Sequence, residues 1–294
     1  MRMAILSRGP QLYSTQSLYR AGRQRGHIVY VIDHTQCSLF LEEGSPRVYF
    51  EGRSLDNFDV IIPRIGASVT TQGAAVISQF GLMGVPSTAK PDALLEARDK
   101  LRCLQKLSAH GLPIPRSIYV GDNPNILQLT GMVGGTPVVV KQLESTHGIG
   151  VILCESEAST EATVEAFHRL RERVIMQEFI READGVDIRA LMVDGEVVAS
   201  MRRQAKEGEF RSNLHRGATA TPYQLTEEEH ELVREAVRVM DLDVAGVDLL
   251  PSSRGPLIME VNASPGLEGI ETITGVNIAA KIIRLAEQKG KRMN

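Results

Sequence analysis

Residues 255–271 read GPLIMEVNASPGLEGIE. Leu257, Ile258, Met259 and Val261 have the pattern of a buried strand, yet Glu260 and Asn262 interrupt it. Enclosing a carboxylate in a sheet costs on the order of several kcal/mol unless a positive group compensates it. Strand residues two apart share a face, so Glu260 and Asn262 project together. The preceding VAGVDLL (244–250) and the PSSRG turn make this stretch the second half of a hairpin, with Asp248 roughly opposite Glu260. Two carboxylates and one amide oxygen suit Mg²⁺ or Mn²⁺, which leave coordination positions for water and phosphate. The competing reading is a buried polar network without metal. Against it, two neighbouring buried carboxylates repel unless one is protonated.

Outward from this hairpin, the N-terminal part alternates strand and helix. Met3–Leu6, His27–Asp33 and Asp59–Ile65 read as strands, Ser14–Arg25 and Thr70–Met83 as helices, which predicts a parallel α/β sheet. Lys90–His110 reads as one long amphipathic helical region, closed by Gly111 and the Pro-containing GLPIP connector near the first domain boundary. Strands follow at Ser117–Val120, Pro137–Leu143, Val151–Cys154, Val174–Ile180, Val186–Val193 and Val197–Arg203, with a helix over Ala158–Glu172. Gln204–Tyr223 reads as a polar loop, and Thr226–Glu229 as a capping box opening a helix that ends near Met240. Ile278–Lys289 is the final helix. The fold class is therefore α/β, with α+β character in the C-terminal lobes.

Composition narrows the partners. The 294 residues carry a formal net charge of −3, no Trp and 4% aromatic residues, which offers no general attraction to nucleic acid. No apolar run approaches the ~20 residues that span a bilayer, and MRMAILSRG runs directly into a strand rather than a signal peptide. Cys37, Cys103 and Cys154 are widely spaced and suit reduced thiols better than a disulfide framework or metal site. A cytoplasmic protein without membrane or nucleic-acid contact is expected.

Phosphate-binding signals are present in an unusual form. Neither GxxxxGK[ST] nor GxGxxG occurs. Lys141 ends the apolar strand PVVVK, where an ammonium needs an anion, and the loop ESTHGIG (144–150) could fold backbone N–H groups over phosphates. A Gly-containing hairpin turn would explain that loop equally well. Arg202, Arg203, Lys206, Arg211, His215 and Arg216 make the 202–216 loop basic, either as a solvated face or as an anion site. Arg64, in IPRIG after a strand end, is a further candidate.

Taken in order, ARDKL (Lys100), VVVKQ (Lys141), QEFI (177–180) and the D…E-x-N-x-S-P-G set resemble the ATP-grasp superfamily. EGEFRSNLHRGA (207–218) and GLEGIE (266–271) resemble more narrowly its RimK branch, whose members add glutamate to the C-terminus of a small-subunit ribosomal protein. The resemblance runs from MAILSR to the last helix. It implies an ATP-grasp fold behind an N-terminal parallel α/β domain: 1–99, then 100–184 with the phosphate-covering loop, then 185–294 with the metal site. It implies ATP phosphates at Lys100 and Lys141, with Lys141 also near the adenine edge. Glu178 and Phe179 would form the adenine hinge, and Asp187 would meet the ribose hydroxyls. Arg203, Arg211, Ser212 and Asn213 would handle phosphate and the reacting carboxyl, Arg203, Arg211 and Lys141 being the catalytic set. Asp248, Glu260 and Asn262 would hold two Mg²⁺ or Mn²⁺ ions. L-glutamate, a ribosomal protein tail and a homo-oligomeric state are the implied partners. A ligase acting on another peptide or carrier protein, or making free poly-glutamate, is the alternative. The sequence departs from the family at Ser145 and His147, where EGTQGIG is the related pattern; Ser145 lacks a glycine's φ freedom.

Overall fold

The computed structural model describes residues 1–122, 124–144 and 149–291, without the side chain of Arg216. The expectations about Ser145, His147 and Gly148 lie outside the described residues.

The apolar run RMAIL forms β1 (Arg2–Leu6), followed by α1 (Tyr13–Gln24) and β2 (Ile28–Ile32). A small antiparallel sheet of β3 (Ser38–Phe40), β4 (Arg47–Phe50) and β5 (Arg53–Ser54) comes next, then β6 (Val60–Pro63). β1 lies between β2 and β6 and pairs parallel with both, aligning Met3 with Val29 and Val60. The β3–β5 sheet is an addition to the elements read from sequence; strands this short give too few alternations to register as a period.

After α2 (Thr70–Leu82), the expected single helical region is two helices, α3 (Pro91–Arg98) and α4 (Lys100–Ala109). The break is at Asp99, whose backbone is extended and whose Oδ1 accepts the Leu101 and Arg102 N–H groups at 3.0 and 3.1 Å. This N-cap starts α4 afresh and leaves Lys100 as its first residue.

β7 (Ser117–Val120), α5 (Ile126–Met132), β8 (Val138–Gln142), β9 (Val151–Cys154), α6 (Glu157–Arg169) and β10 (Val174–Glu178) follow. Their strands form an antiparallel sheet in the order β7-β10-β8-β9. The rest of the chain supplies β11 (Val186–Val193), β12 (Glu196–Gln204), β13 (Thr219–Pro222), α7 (Glu227–Val239), β14 (Val244–Leu250), β15 (Leu257–Asn262), α8 (Glu268–Thr274) and α9 (Ile278–Lys291). Its sheet is antiparallel, ordered β13-β12-β11-β14-β15. The segment read as loop thus contains a short edge strand, β13, at its end. The Thr226–Glu229 capping box opens α7 as expected.

One core runs between the parallel sheet and the five-stranded sheet. Met3, Ile5, Val60 and Ile62 share it with Leu191, Val193 and Val244, and α9 seals it with Ile278, Ile282 and Ile283. The four-stranded sheet encloses its own core of Val120, Val138, Val140, Val164, Val174 and Met176. Gly246 on β14 lets the Ser264–Gly266 turn approach: a Cβ there would sit 2.9 Å from Pro265 Cβ.

Candidate active site

The β14–β15 hairpin pairs Asp248 directly with Glu260, and Gly246 with Asn262, as the sequence register predicts. A bulge after Asp248 shifts the register beyond it, so that Leu249 pairs with Ile258. One premise is corrected. Glu260 is exposed and Asn262 half-buried, β15 being the edge strand of its sheet. Only Asp248 is buried, at 3% exposure. Asn262 Oδ1 accepts the Ser264 N–H at 2.9 Å, which fixes the amide above the SPG turn. Two carboxylates and an amide oxygen thus converge, an all-oxygen set that fits a hard divalent ion. Among the described residues, no group of three His, Cys, Asp or Glu side chains is placed to hold a metal.

Asp248 is enclosed by cations. Arg189 on β11 grips it with two hydrogen bonds, Nε to Oδ1 at 2.7 Å and Nη2 to Oδ2 at 2.6 Å. Arg203 on β12 adds Nη2 to Oδ2 at 2.8 Å and binds Asp187 through Nε and Nη2 at 2.5 and 2.6 Å. The Ser212 hydroxyl donates to Asp187 Oδ2, the oxygen that also accepts from Arg203 Nη2. Burial would raise the Asp248 carboxyl, but Arg189 and Arg203 hold it below the usual carboxylate range. Burial would likewise lower Arg203, and Asp248 and Asp187 outweigh it to raise its affinity for the proton. Asp187 is pushed upward by burial and by neighbouring Asp248, against the pull of Arg203. The structure therefore joins Asp187, Arg203, Ser212 and Asp248 in one network.

Lys141 on β8 donates to Gln177 Oε1, and the Gln177 amide donates to Ser117 Oγ at 2.7 Å. Burial drives the Lys141 ammonium down to about 8; Glu260 opposes that shift and Lys100 adds to it. Lys100 donates to the Leu143 carbonyl at 2.8 Å and is lowered mainly by burial, with Glu260 again opposing. Both lysines therefore feel the exposed carboxylate of the hairpin.

Other expected residues lie apart from this network. Glu178 ends β10, accepts the Arg116 N–H at 3.1 Å and pairs with Arg254 at 2.7 Å. Phe179 stands edge-on to Phe210, with ring centroids 6.2 Å apart. Arg211 forks onto Glu209 at 2.9 and 2.7 Å and also donates to the Val151 carbonyl of β9 at 3.2 Å, so it spans two sheets. That fork is the main reason Glu209 is held at about 2. Asn213 is half-buried and precedes a short 3₁₀ turn at Leu214–Arg216.

Two participants escaped the sequence reading. Arg189 lies two residues beyond Asp187 on an otherwise apolar strand, so the period of two that united Glu260 with Asn262 would have found it. Gln177 is buried next to the Lys141 ammonium, and a neutral amide in an apolar strand gives no comparable signal.

An antiparallel four-stranded sheet carrying Lys141 beside an antiparallel five-stranded sheet carrying Asp248, Glu260 and Asn262 is the arrangement of an ATP-grasp ligase. The RimK-like ATP-grasp domain pattern matches residues 97–286, and the RimK PreATP-grasp domain pattern matches residues 1–94. A "Probable alpha-L-glutamate ligase" of Aeromonas salmonicida is 49% identical over 294 residues, covering 100% of this chain and 99% of that protein. A "Probable alpha-L-glutamate ligase 1" of Hahella chejuensis is 51% identical over 291 residues, covering 99% and 96%. The chain belongs to the RimK-like ATP-grasp family, and with it to the ATP-dependent ligases that use a divalent metal. Solved structures agree on the fold. The ATP-grasp ligase PsnB, complexed with a phosphomimetic precursor variant, Mg and ADP, superposes with a TM-score of 0.76 at 20% identity, covering 98% of each chain. The D-alanine–D-alanine ligase of Bacillus anthracis gives 0.70 at 16% identity, covering 99% of this chain and 98% of that one. Among the described residues no helix is long and apolar enough to cross a membrane.

Proposed function

We propose that this protein is a cytoplasmic, homo-oligomeric alpha-L-glutamate ligase that extends the C-terminus of a small-subunit ribosomal protein. The observation that carries the ligase chemistry is the Asp248–Glu260 pair with Asn262 beside it, facing the Lys100 and Lys141 ammonium groups. Glutamate as the amino acid is supported by relatives about half identical over the whole chain. The ribosomal tail is supported by the EGEFRSNLHRGA and GLEGIE segments alone.

In the first step an oxygen of the acceptor carboxylate attacks the γ-phosphorus of ATP and the bond to the β-phosphate oxygen breaks, releasing ADP. In the second, the glutamate amine attacks the acyl carbon, the bond to the phosphate oxygen breaks, and the amine gives up its proton as phosphate leaves. Such transfers need positioning and charge neutralisation more than a protein nucleophile. Asp248, Glu260 and Asn262 would hold two Mg²⁺ or Mn²⁺ ions, which would neutralise phosphate charge and orient the transferring group. Lys100 and Lys141 bind phosphate oxygens, and Lys141 also lies near the adenine edge. Glu178 and Phe179 form the adenine hinge, and Asp187 meets the ribose. Arg203 is anchored by two aspartates, and Arg211, Ser212 and Asn213 lie on the adjoining loop; together they steady phosphate and the reacting carboxyl.

Purified protein incubated with ATP, Mg²⁺, L-glutamate and the ribosomal protein should release ADP and add glutamate residues, read as mass increments. ADP release with other peptides only would transfer the assignment to a different acceptor, and no ADP release with any carboxylate would refute the ligase reading. Glu260→Gln should lower kcat by at least ~10³-fold with ATP and acceptor saturating, through lost metal binding. Wild-type turnover in that variant would remove Glu260 from the metal site.

A further inference from the structure

At the C-terminal edge of the parallel sheet stands a pair of arginines that the phosphate chemistry leaves unused. Arg64 follows β6 and donates to the Pro265 carbonyl, in the turn just beyond Asn262. Arg98 ends α3 and donates through Nη2 to the carbonyl of Ile65, the residue next to Arg64, at 2.9 Å. Arg98 Nε is enclosed and has no hydrogen-bond partner. Carbonyl oxygens are the only partners of either guanidinium among the described residues. Both side chains are half-buried, and two neighbouring like charges are unfavourable unless an anion joins them. Burial, and then the charge of Arg98, push Arg64 down to about 10, with Glu271 opposing.

The cations of the site form a row. Lys141 is repelled by Lys100, Lys100 by Arg98, and Arg64 by Arg98. Glu260 attracts Lys141, Lys100 and Arg98, whereas Arg64 answers to Glu271 instead. The lysine end, next to the metal-type oxygens, suits phosphate. The far end offers planar forks, the geometry that matches a carboxylate. It also lies where α/β sheets receive ligands, at the carboxyl ends of the strands.

We propose that Arg64 and Arg98 form a receptor for a non-reacting carboxylate of the amino-acid or peptide substrate, at the C-terminal end of the parallel sheet. The proposal rests on the ligase reading for the lysine end. Each arginine's carbonyl contact fixes its guanidinium while leaving donors over for the ligand: Arg98 keeps Nη1, and Arg64 keeps Nε and Nη1.

The test uses the full chain with Arg98→Met, Arg64→Lys and Arg98→Lys. The Lys variants keep the charge and remove the fork, so they report on carboxylate geometry even where a Met variant fails to fold. ADP release is measured while varying ATP, L-glutamate, or a synthetic peptide ending in glutamate. The KM for one carboxylate substrate should rise about 10–100-fold, the value of a lost charge-assisted hydrogen bond, with the KM for ATP moving less than about threefold. A shift in the glutamate KM assigns the receptor to the incoming amino acid, and a shift in the peptide KM assigns it to the acceptor. Unchanged KM values for both, or an equal rise in the KM for ATP, would reduce the pair to a structural brace and overturn the proposal. If wild-type protein releases no ADP with glutamate, the ligase reading fails by itself, and the receptor is then judged by thermal shift with free amino acids and dicarboxylates. A carboxylate that raises the wild-type Tm and leaves Arg98→Lys unmoved supports the receptor; none doing so overturns it.

Discussion

In the proposed site Lys141 holds phosphate as a cation, yet burial has brought its pKa down to about 8. An unfolded lysine titrates near about 10.4. Between these values the unfolded chain binds a proton that the folded chain has released, so stability rises with pH across the window, by at most roughly 1.4 kcal/mol per pH unit. The contribution is complete above the unfolded value and is lost as pH falls through about 8. Urea unfolding of wild type and Lys141→Met from about pH 7 to 10 should show the difference moving toward wild type as pH rises. A pH-independent difference would mean that the ammonium is solvated. Phosphate should restore the proton, so Mg·ATP binding near about pH 8.5 should take protons up, measurable by calorimetry in buffers of unequal ionisation enthalpy. Charges on strands were the legible part of this site: a period of two united Glu260 with Asn262 and, applied to β11, unites Asp187 with Arg189. The exposure of Glu260 was hidden, because its apolar neighbours give no sign that β15 is an edge strand. Arg98 was hidden for a different reason: on an amphipathic helix a basic residue reads as solvated until the chain around it is folded.

Among the elements, the α3–α4 break does most to place Lys100. Amphipathic spacing continues from Lys90 to His110, so periodicity alone joins the two helices. The interruption resides in one side chain, Asp99, which turns from helix residue to N-cap and accepts two N–H groups. Lys100 thereby begins a helix and reaches the Leu143 carbonyl after β8. Asp99→Ala should destabilise the protein by about 1 kcal/mol, the usual value of a lost cap, and raise the KM for ATP several-fold by loosening Lys100. Asp99→Asn, which can still cap, should keep both near wild type. Equal effects of the two substitutions in denaturation and kinetics would mean that charge, rather than capping, is what Asp99 supplies. The hairpin carrying Asp248 was readable at this scale because its turn is marked by Pro251, Ser252, Ser253, Arg254 and Gly255. The bulge after Asp248 carries no such mark, and it lies just beyond the Asp248–Glu260 pair without disturbing it.

For the whole molecule, the division of the cores matters more than the order of the elements. Strand and helix alternation made the parallel sheet legible, and tight hairpins made the antiparallel sheets legible. Which sheets share a core depends on contacts between distant residues, such as Met3 with the α9 side chains, and no local pattern encodes those. The parallel and five-stranded sheets are fused through α9, where Glu287 pairs with Arg25 at 2.6 Å and is hydrogen-bonded to His27 at 2.6 Å. The four-stranded sheet joins the remainder through one small apolar cluster, in which Leu143 and Ile175 meet Leu101 and Leu104 of α4, and otherwise through polar links. Pro113 O accepts the Ile258 N–H at 2.8 Å, Arg254 pairs with Glu178, and Arg211 reaches Val151 O. Polar links at a solvated seam are worth little singly and exchange readily with water. The four-stranded sheet should therefore open as its own unit, which is what admitting and enclosing a nucleotide requires. Native-state hydrogen exchange should give β7, β8 and β10 a common opening free energy below that of β1, β6, β11 and β14, with these last four exchanging together by global unfolding. Mg·ADP, bridging the sheets, should raise the first group toward the second. If β1 and β6 instead opened below β11 and β14, the parallel sheet would be the independent unit and the shared core would not be the rigid base of the site.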